Sequence, residues 1–366
     1  MKVVERAYEE AKEVIRKCSH KAGLFASSGK IAYDAIWARD SIISFLGASL
    51  IPEFKEVFKK NLETLAINQG KKGQIPNCVD KFSRRKPHVD FQTIDSSLWF
   101  IIGCYLYKER YKDKKFFIKI KKNINSALNW LSYQDIGENC LLGQLPTTDW
   151  QDAFPHKYGY TINTHALYYK ILNLIGEKKK AEKIKFLINE DKEHKLWEKD
   201  FYLAYRWKNH GKYKEIGNWF DSLGNLLAIV FGLASEKQGK KIISYIKKNK
   251  IDLPYPIKSI WPPIKKSSIY WQDYFNDCDA REPYQYLNAG VWTYIGGFYI
   301  LSLIKLREIE EAKKQLTKLA EANLKGNFPE WLHGKTGKPS KGKNQAWNAG
   351  MYILAYESLK KKKLLI

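Results

Sequence analysis

Cysteine is scarce. The five present (Cys18, Cys78, Cys104, Cys140 and Cys278) are odd in number, scattered and without a CxxC pair. That pattern excludes a disulfide framework and a structural zinc site, and it points to reduced thiols in a cytoplasm. Long apolar runs are missing as well: none approaches the ~18 residues a bilayer-spanning helix needs, so no membrane association is expected. The opening Met1-Lys2-Val3-Val4-Glu5-Arg6 is charged at once and then amphipathic, unlike a secretory signal. No GxGxxG precedes a helix and no GK[ST] follows a strand. The seven His (20, 88, 156, 165, 194, 210 and 333) show neither HxH nor HExxH spacing. A phosphate cradle, a metal centre and a cofactor are therefore not expected. No local signature marks a Ser or Cys nucleophile.

Arginine is rare too: nine of the 63 basic residues, the rest being Lys spread over nearly the whole chain. Against 39 acids the net charge is +24, which raises the question of nucleic acid. No basic run interleaves with aromatics as a stacking platform would, so a nucleic-acid partner is not expected. Runs such as Lys178-Lys179-Lys180 fit solvated helix faces, and Lys enrichment is also a mark of heat-adapted proteins.

What the chain has in quantity is apolar and aromatic surface: 44% hydrophobic residues, with 12 Trp, 23 Tyr and 17 Phe. Such a composition buries a large core. A helical period recurs throughout, as in 113–133, where Phe116, Ile120, Ile124, Leu128 and Leu131 fall three or four apart with Lys between them. Similar stretches at about 3–18, 41–50, 54–68, 94–110, 162–175, 178–189, 219–234, 237–248, 289–304, 307–324 and 345–360 give twelve expected helices. Long alternating runs that would mark a sheet are not seen. Between helices lie long loops rich in Gly, Pro, Trp and Asn, at 70–93, 136–160, 191–218, 250–288 and 325–344; loops of that length are usually functional. Neither loop lengths nor loop sequences repeat, which argues against an open solenoid. The expected fold class is all-α, an (α/α)6 barrel of six helical hairpins in a closed ring. With no Ser/Gly/Pro-rich linker, residues 1–366 are expected to form one domain.

Two loops carry acids flanked by indoles: Thr147-Thr148-Asp149-Trp150-Gln151-Asp152 and Phe328-Pro329-Glu330-Trp331-Leu332-His333. Glycosidic cleavage needs one carboxyl kept protonated for the leaving oxygen and another ionised to activate water. An indole wall raises the first one's pKa and stacks on a sugar's C–H face. Capped surface turns are the plainer account of the same pairs. In Tyr33-Asp34-Ala35-Ile36-Trp37-Ala38-Arg39-Asp40, Asp40 fits a helix N-cap paired with Arg39, or equally half of a clamp on vicinal hydroxyls. Gln74 and Asn77, in a turn, and His333 are further candidates for a hydroxyl-rich ligand.

Several of these segments resemble the alkaline/neutral invertases, an inverting glycoside hydrolase family, and the glucosidase domain of glycogen-debranching enzymes. The resemblance is carried by Ile94-Asp95-Ser96-Ser97-Leu98-Trp99, Trp150-Gln151-Asp152-Ala153, Phe220-Asp221-Ser222-Leu223-Gly224-Asn225-Leu226, Pro283 to Trp292, Phe328-Pro329-Glu330-Trp331 and Gln345-Ala346-Trp347. They fall in the expected order over about residues 31–359. The resemblance implies an (α/α)6 barrel and an inverting attack on an α-glucosidic bond, in a short α-glucan, a glycogen branch stub or a sucrose-like α-glucoside. It places Asp152 as general acid, with Asp149 as its competitor, and Glu330 as general base. Trp37, Arg39, Asp40, Asp95, Tyr286, Gln345 and Trp347 then hold the sugar, and the indoles beside the two acids, Trp150 and Trp331, are expected to join them in binding it. Ala153 and Phe154 stand where the invertases have two Arg, Asn163 replaces a Glu, and 341–344 is shortened with loss of a basic residue, so their grip on the second sugar is not reproduced. A non-hydrolytic carbohydrate-binding barrel and a sugar epimerase are the alternatives.

Overall fold

The computed structural model describes residues 2–29, 33–82, 87–210 and 212–366. Among them are twelve α-helices: α1 (Val3–Cys18), α2 (Ala38–Ala48), α3 (Lys55–Ile67), α4 (Asp95–Tyr111), α5 (Lys114–Ser132), α6 (Ile162–Ile175), α7 (Lys178–Asn189), α8 (Ser222–Phe231), α9 (Glu236–Lys248), α10 (Thr293–Lys305), α11 (Ile309–Lys325) and α12 (Ala346–Lys360). Each matches one of the twelve expected stretches.

Two kinds of helix alternate. The odd-numbered ones bury a single stripe: α5 buries Phe116, Ile120, Ile124, Ala127 and Leu131 and turns its Lys to solvent. The even-numbered ones are apolar around much of their circumference, and α2 is buried at all eleven positions. In space α2 packs on α4, α4 on α6, α6 on α8, α8 on α10, α10 on α12, and α12 on α2. The odd-numbered helices lie outside this circuit, as α7 does against α6 and α11 against α10.

The molecule is mostly helical rather than all-α, because among the described residues nine short strands form three antiparallel sheets. They are β1 (Ser19–His20) with β2 (Gly23–Leu24); β3 (Ile36–Trp37), β4 (Cys78–Asp80) and β5 (His88–Asp90); and β6 (Tyr160–Thr161), β7 (Leu203–His210), β8 (Tyr213–Asp221) and β9 (Ile260–Trp261). The β7–β8 ribbon falls where only a loop was expected. Its inner end, Leu203 to Arg206, is buried at every position, so the polar–apolar alternation of a half-exposed strand is absent. These sheets set up the site: β3 runs straight into α2, β6 into α6 and β8 into α8. Ladder register thereby fixes where the N-termini of three circuit helices stand. Among the described residues no helix is long and apolar enough to cross a membrane, and all five cysteines are free.

Candidate active site

The N-terminal ends of α2 and α12, with the loops before α6, α10 and α12, surround one cavity. It is lined by Tyr33, Trp37, Arg39, Asp40, Trp150, Asp152, Tyr286, Trp292, Glu330, Gln345 and Trp347. All but Tyr33 and Trp292 are expected site residues, drawn from segments up to about 300 residues apart.

Arg39 is the hub. It is buried, and its Nη1 donates to both oxygens of Asp95 at 3.1 Å. Asp40 Oδ2 lies 3.8 Å from Nε and Asp152 Oδ2 3.5 Å from Nη2. The cap of α2 is the extended Trp37, not Asp40, which sits in the first turn and faces the cavity. That excludes the N-cap account of Asp40. Asp95 is fully buried and stands behind Arg39 rather than on the cavity wall, so it holds the guanidinium in place. Trp331 also stays off the wall, its ring packed 6.3 Å from Tyr286.

Burial dominates the carboxyl chemistry. It pushes Asp40 up to about 7, against the pull of Arg39 and with help from neighbouring Asp152. Burial lifts Glu330 to about 7 as well, opposed by a hydrogen bond from Tyr33 Oη to Oε1 at 3.3 Å. Asp152 is raised for the same reason, while Arg39 pulls it back; its side chain keeps 37% of its surface exposed, the most accessible of the Arg39 partners. Three carboxyls gathered on one guanidinium, with Glu330 across the same cavity, cannot all ionise freely, and they titrate as a coupled set.

Asp149, the competitor for the acid role, is fully buried and does not line the cavity. Its Oδ2 meets Lys157 Nζ at 2.9 Å, and its Oδ1 accepts from Gln151 N at 2.9 Å. An Asp locked to an ammonium beneath the surface has no route to a leaving group.

The aromatic wall is a nested set of rings. Trp150 meets Trp292 edge-on at 5.6 Å, Trp292 meets Trp347 edge-on at 5.7 Å, and Tyr294 stacks on Trp347 at 4.1 Å. The Nε1–H groups of Trp37, Trp150 and Trp347, and the Nε of Arg39, are buried without a hydrogen-bond partner in the protein. Leaving such donors unmatched costs about 1–3 kcal/mol each. Three of the cavity's indoles thus keep an unmatched donor beside its carboxylate acceptors, a set of groups that suits a polyhydroxylated ring.

The loops that bring Tyr286 and Glu330 to the cavity contain backbone that few residues adopt. Tyr284, Tyr286 and Ala289 before α10, and Asn327 and Phe328 before Glu330, all have φ between 42° and 71°. Non-glycine residues there carry strain that packing must hold, a common mark of functional loops. Glu330 is further pinned by its backbone N–H to Gly342 O at 3.3 Å.

Tyr33 and Trp292 line the cavity although the sequence motifs assign them no role; each stands at one end of such a motif. Tyr33 opens the Trp37-Ala38-Arg39-Asp40 motif and Trp292 ends the Pro283–Trp292 stretch. Gln74, Asn77 and His333 do not join the cavity. Gln74 Nε2 bonds to the Phe91 and Thr93 carbonyls, Asn77 pairs with Asp90, and His333 Nδ1 accepts from Lys335 and Thr336 N–H. Among the described residues no group of three or more His, Cys, Asp or Glu is arranged to hold a metal ion.

Known proteins resemble this chain in sequence and in fold. Alkaline/neutral invertase C, mitochondrial, of Arabidopsis thaliana is 30% identical over 122 residues, 32% of this chain and 18% of the invertase. Cytosolic invertase 1 of Oryza sativa subsp. japonica is 27% identical over 143 residues, 37% of this chain and 25% of that protein. The matches thus span a quarter or less of these relatives' length. In fold the chain is similar to a GH63 mannosylglycerate hydrolase from Thermus thermophilus solved with glucose (TM-score 0.73, 13% identity, 95% of this chain and 99% of that one). A bacterial glucoamylase solved with acarbose is similar too (TM-score 0.65, 14% identity, 98% of this chain and 56% of that one). At such identity the likeness is one of fold. Residues 9–354 match the family model described as amylo-alpha-1,6-glucosidase, nearly the whole chain, so this protein belongs to that glycoside hydrolase family.

Proposed function

We propose that the chain is an inverting glycoside hydrolase that releases a terminal glucose from an α-glucoside, within a single closed (α/α)6-barrel domain. The circuit of even-numbered helices that returns from α12 to α2 supports the barrel. The observation that carries the reaction is that Asp152 and Glu330, 178 residues apart in sequence, line one cavity walled by indoles, three of which (Trp37, Trp150 and Trp347) have N–H groups without a protein partner. In this reading Trp37, Arg39, Asp40, Trp150, Tyr286, Gln345 and Trp347 hold the end sugar. Asp152 gives its proton to the glycosidic oxygen as the C–O bond breaks. Glu330 takes a proton from a water attacking the anomeric carbon on the opposite face, so the configuration inverts. Tyr33, bonded to Glu330, orients the base.

The α-glucoside follows from the family's name, and short α-glucans, branch stubs and sucrose-like compounds all present the same end sugar. Among the described residues no His lines the cavity, which disfavours a His-based epimerase. The five free cysteines suit a reducing cytoplasm.

Incubation with sucrose, maltose, isomaltose, trehalose and glucosylglycerol, followed by NMR, should show β-glucose as the first anomer released. α-Glucose first, or no release from any α-glucoside, would overturn the proposal. One observation favours a second reading with the roles exchanged: the Arg39 ion pair draws Asp152 toward its ionised form, as a base requires. α-Glucosyl fluoride, whose leaving group needs no proton, separates the two. Asp152→Asn should lose at least ~10²-fold in kcat on a disaccharide yet retain turnover of the fluoride, whereas Glu330→Gln should lose both. The opposite pattern assigns Glu330 as the acid.

A further inference from the structure

Behind the cavity lies an ion triad that the proposed chemistry does not use. Lys157 is fully buried, and its Nζ sits 2.9 Å from Asp149 Oδ2 and 2.7 Å from Asp221 Oδ2; both aspartates are fully buried too. A lysine taken wholly out of water costs several kcal/mol unless its partners are well placed. Here they outweigh that cost: burial opposes the charge, but Asp149 and Asp221 hold Lys157 above its ordinary value.

The place of the triad in the chain gives it a purpose. Asp149 and Lys157 bracket the turn that carries Asp152, so one ion pair closes that turn from both ends. Inside it, Asp149 Oδ1 receives Gln151 N–H at 2.9 Å. The closed turn is then tied to two circuit helices. Asp221 caps α8, its Oδ1 accepting from Gly224 N at 3.2 Å. Gln144 Nε2 donates to Asp149 Oδ2 at 3.3 Å, while its Oε1 accepts from Thr161 Oγ1, the α6 cap, at 2.7 Å and from Thr164 Oγ1 at 2.6 Å. Asn163 Nδ2 donates to the same Asp149 oxygen at 3.5 Å.

We propose that Lys157 is a positioning residue: by joining Asp149 to Asp221 it fixes the Asp152 turn to the N-termini of α6 and α8 and so sets where Asp152 stands in the cavity. A packed hydrocarbon would stabilise the fold as well or better. An ion triad instead allows few geometries, and a carboxyl that must meet a glycosidic oxygen tolerates little displacement. The inference rests on the proposed hydrolysis, but its signature does not depend on which carboxyl is the acid.

The test compares Lys157→Met, Lys157→Arg, Asp152→Asn and the double variant Lys157→Met/Asp152→Asn on a disaccharide and on α-glucosyl fluoride. Lys157→Met should lower kcat on the disaccharide by about 10²-fold with KM changed less than about threefold. Its loss on the fluoride should follow that of Asp152→Asn, whatever that loss is. The double variant should be no slower than Asp152→Asn alone, since both act through one carboxyl. Lys157→Arg should recover at least tenfold. Equal losses on both substrates beside an Asp152→Asn that discriminates between them, or additive losses in the double variant, would overturn the proposal. Should Lys157→Met not fold, Lys157→Arg and Asp149→Asn carry the same comparison, and wild-type kcat in Asp149→Asn would likewise overturn it. A wild type inactive on every α-glucoside would instead sink the hydrolase reading.

Discussion

Asp40 shows how a buried carboxyl taxes the fold it serves. In the folded chain it is pushed to about 7 by burial and by Asp152 and Asp95, against Arg39, whereas the unfolded value is 3.8. A raised folded pKa means that folding favours the protonated form. That contribution is whole below pH 4 and is lost as pH climbs through 7. Asp95, raised to about 6, and Glu330, raised to about 7, act in the same sense. Stability should therefore fall between pH 4 and pH 8. Asp40→Asn should leave stability near wild type at pH 4 and raise it by roughly 1–3 kcal/mol at pH 8, at ~1.4 kcal/mol per pKa unit discounted for coupling to Arg39. Urea titrations at the two pH values measure this, and an equal change at both would exclude it. A second residue-scale prediction concerns Gly342. A Cβ there would lie 3.1 Å from Glu330 Cβ and 3.3 Å from its Oε2. Gly342→Ala should thus nudge the carboxylate and cut kcat about tenfold, with little change in urea midpoint. Unchanged kcat would show that Glu330 has room to yield.

Between elements, the tightest contact is the seam of α2 with α12. A Cβ on Gly47 would come within 1.9 Å of the Gly350 carbonyl oxygen, and one on Gly350 within 2.2 Å of the Ser44 carbonyl oxygen. Both obstacles are backbone, so neither helix can yield without moving whole. Gly350→Ala should cost at least ~1–3 kcal/mol and lower activity too, because α2 carries Arg39 and Asp40 while α12 opens beside Gln345 and Trp347. Gly176, with φ +86° and nothing within 4 Å of a Cβ, is the contrast: Gly176→Ala should cost about 1 kcal/mol of backbone strain and leave kcat alone. Urea midpoints and kcat for the two variants decide it. Helices were the legible part of this scale, because stripes like that of α5 repeat at 3.6 residues and caps and Gly punctuate them. The β7–β8 ribbon was not, since burial on both faces of its inner end erases the period of two. Within the site, Trp37, Asp152 and Glu330 stand in short motifs that could be read in line. The setting of Asp95 behind Arg39, and the burial of Asp149 on Lys157, depend on partners 56 and 8 residues away whose approach only tertiary packing determines.

On the scale of the whole molecule, charge is divided by depth. The cavity sets Asp40, Asp152 and Glu330, with Asp95 behind them, around Arg39, while the exterior carries a Lys excess that brings the chain to +24. Many exterior ion pairs, such as Lys60–Glu63, Lys240–Glu236 and Lys313–Glu310, are helix neighbours three or four residues apart. Pairs of that kind contribute only ~0.3–0.5 kcal/mol each and weaken in salt. Repulsion among the unmatched Lys is also screened, over ~10 Å at 0.1 M salt, and it acts between every cationic face at once. With positive charge in such excess, relief of repulsion outweighs the loss of the pairs. Raising NaCl from 10 mM to 0.5 M at pH 7 should therefore raise the unfolding midpoint, and the increase should shrink when a few Lys of the 178–180 and 360–363 runs are changed to Gln. A midpoint that fell with salt would mean that the exterior pairs, rather than the Lys excess, govern the electrostatics of folding.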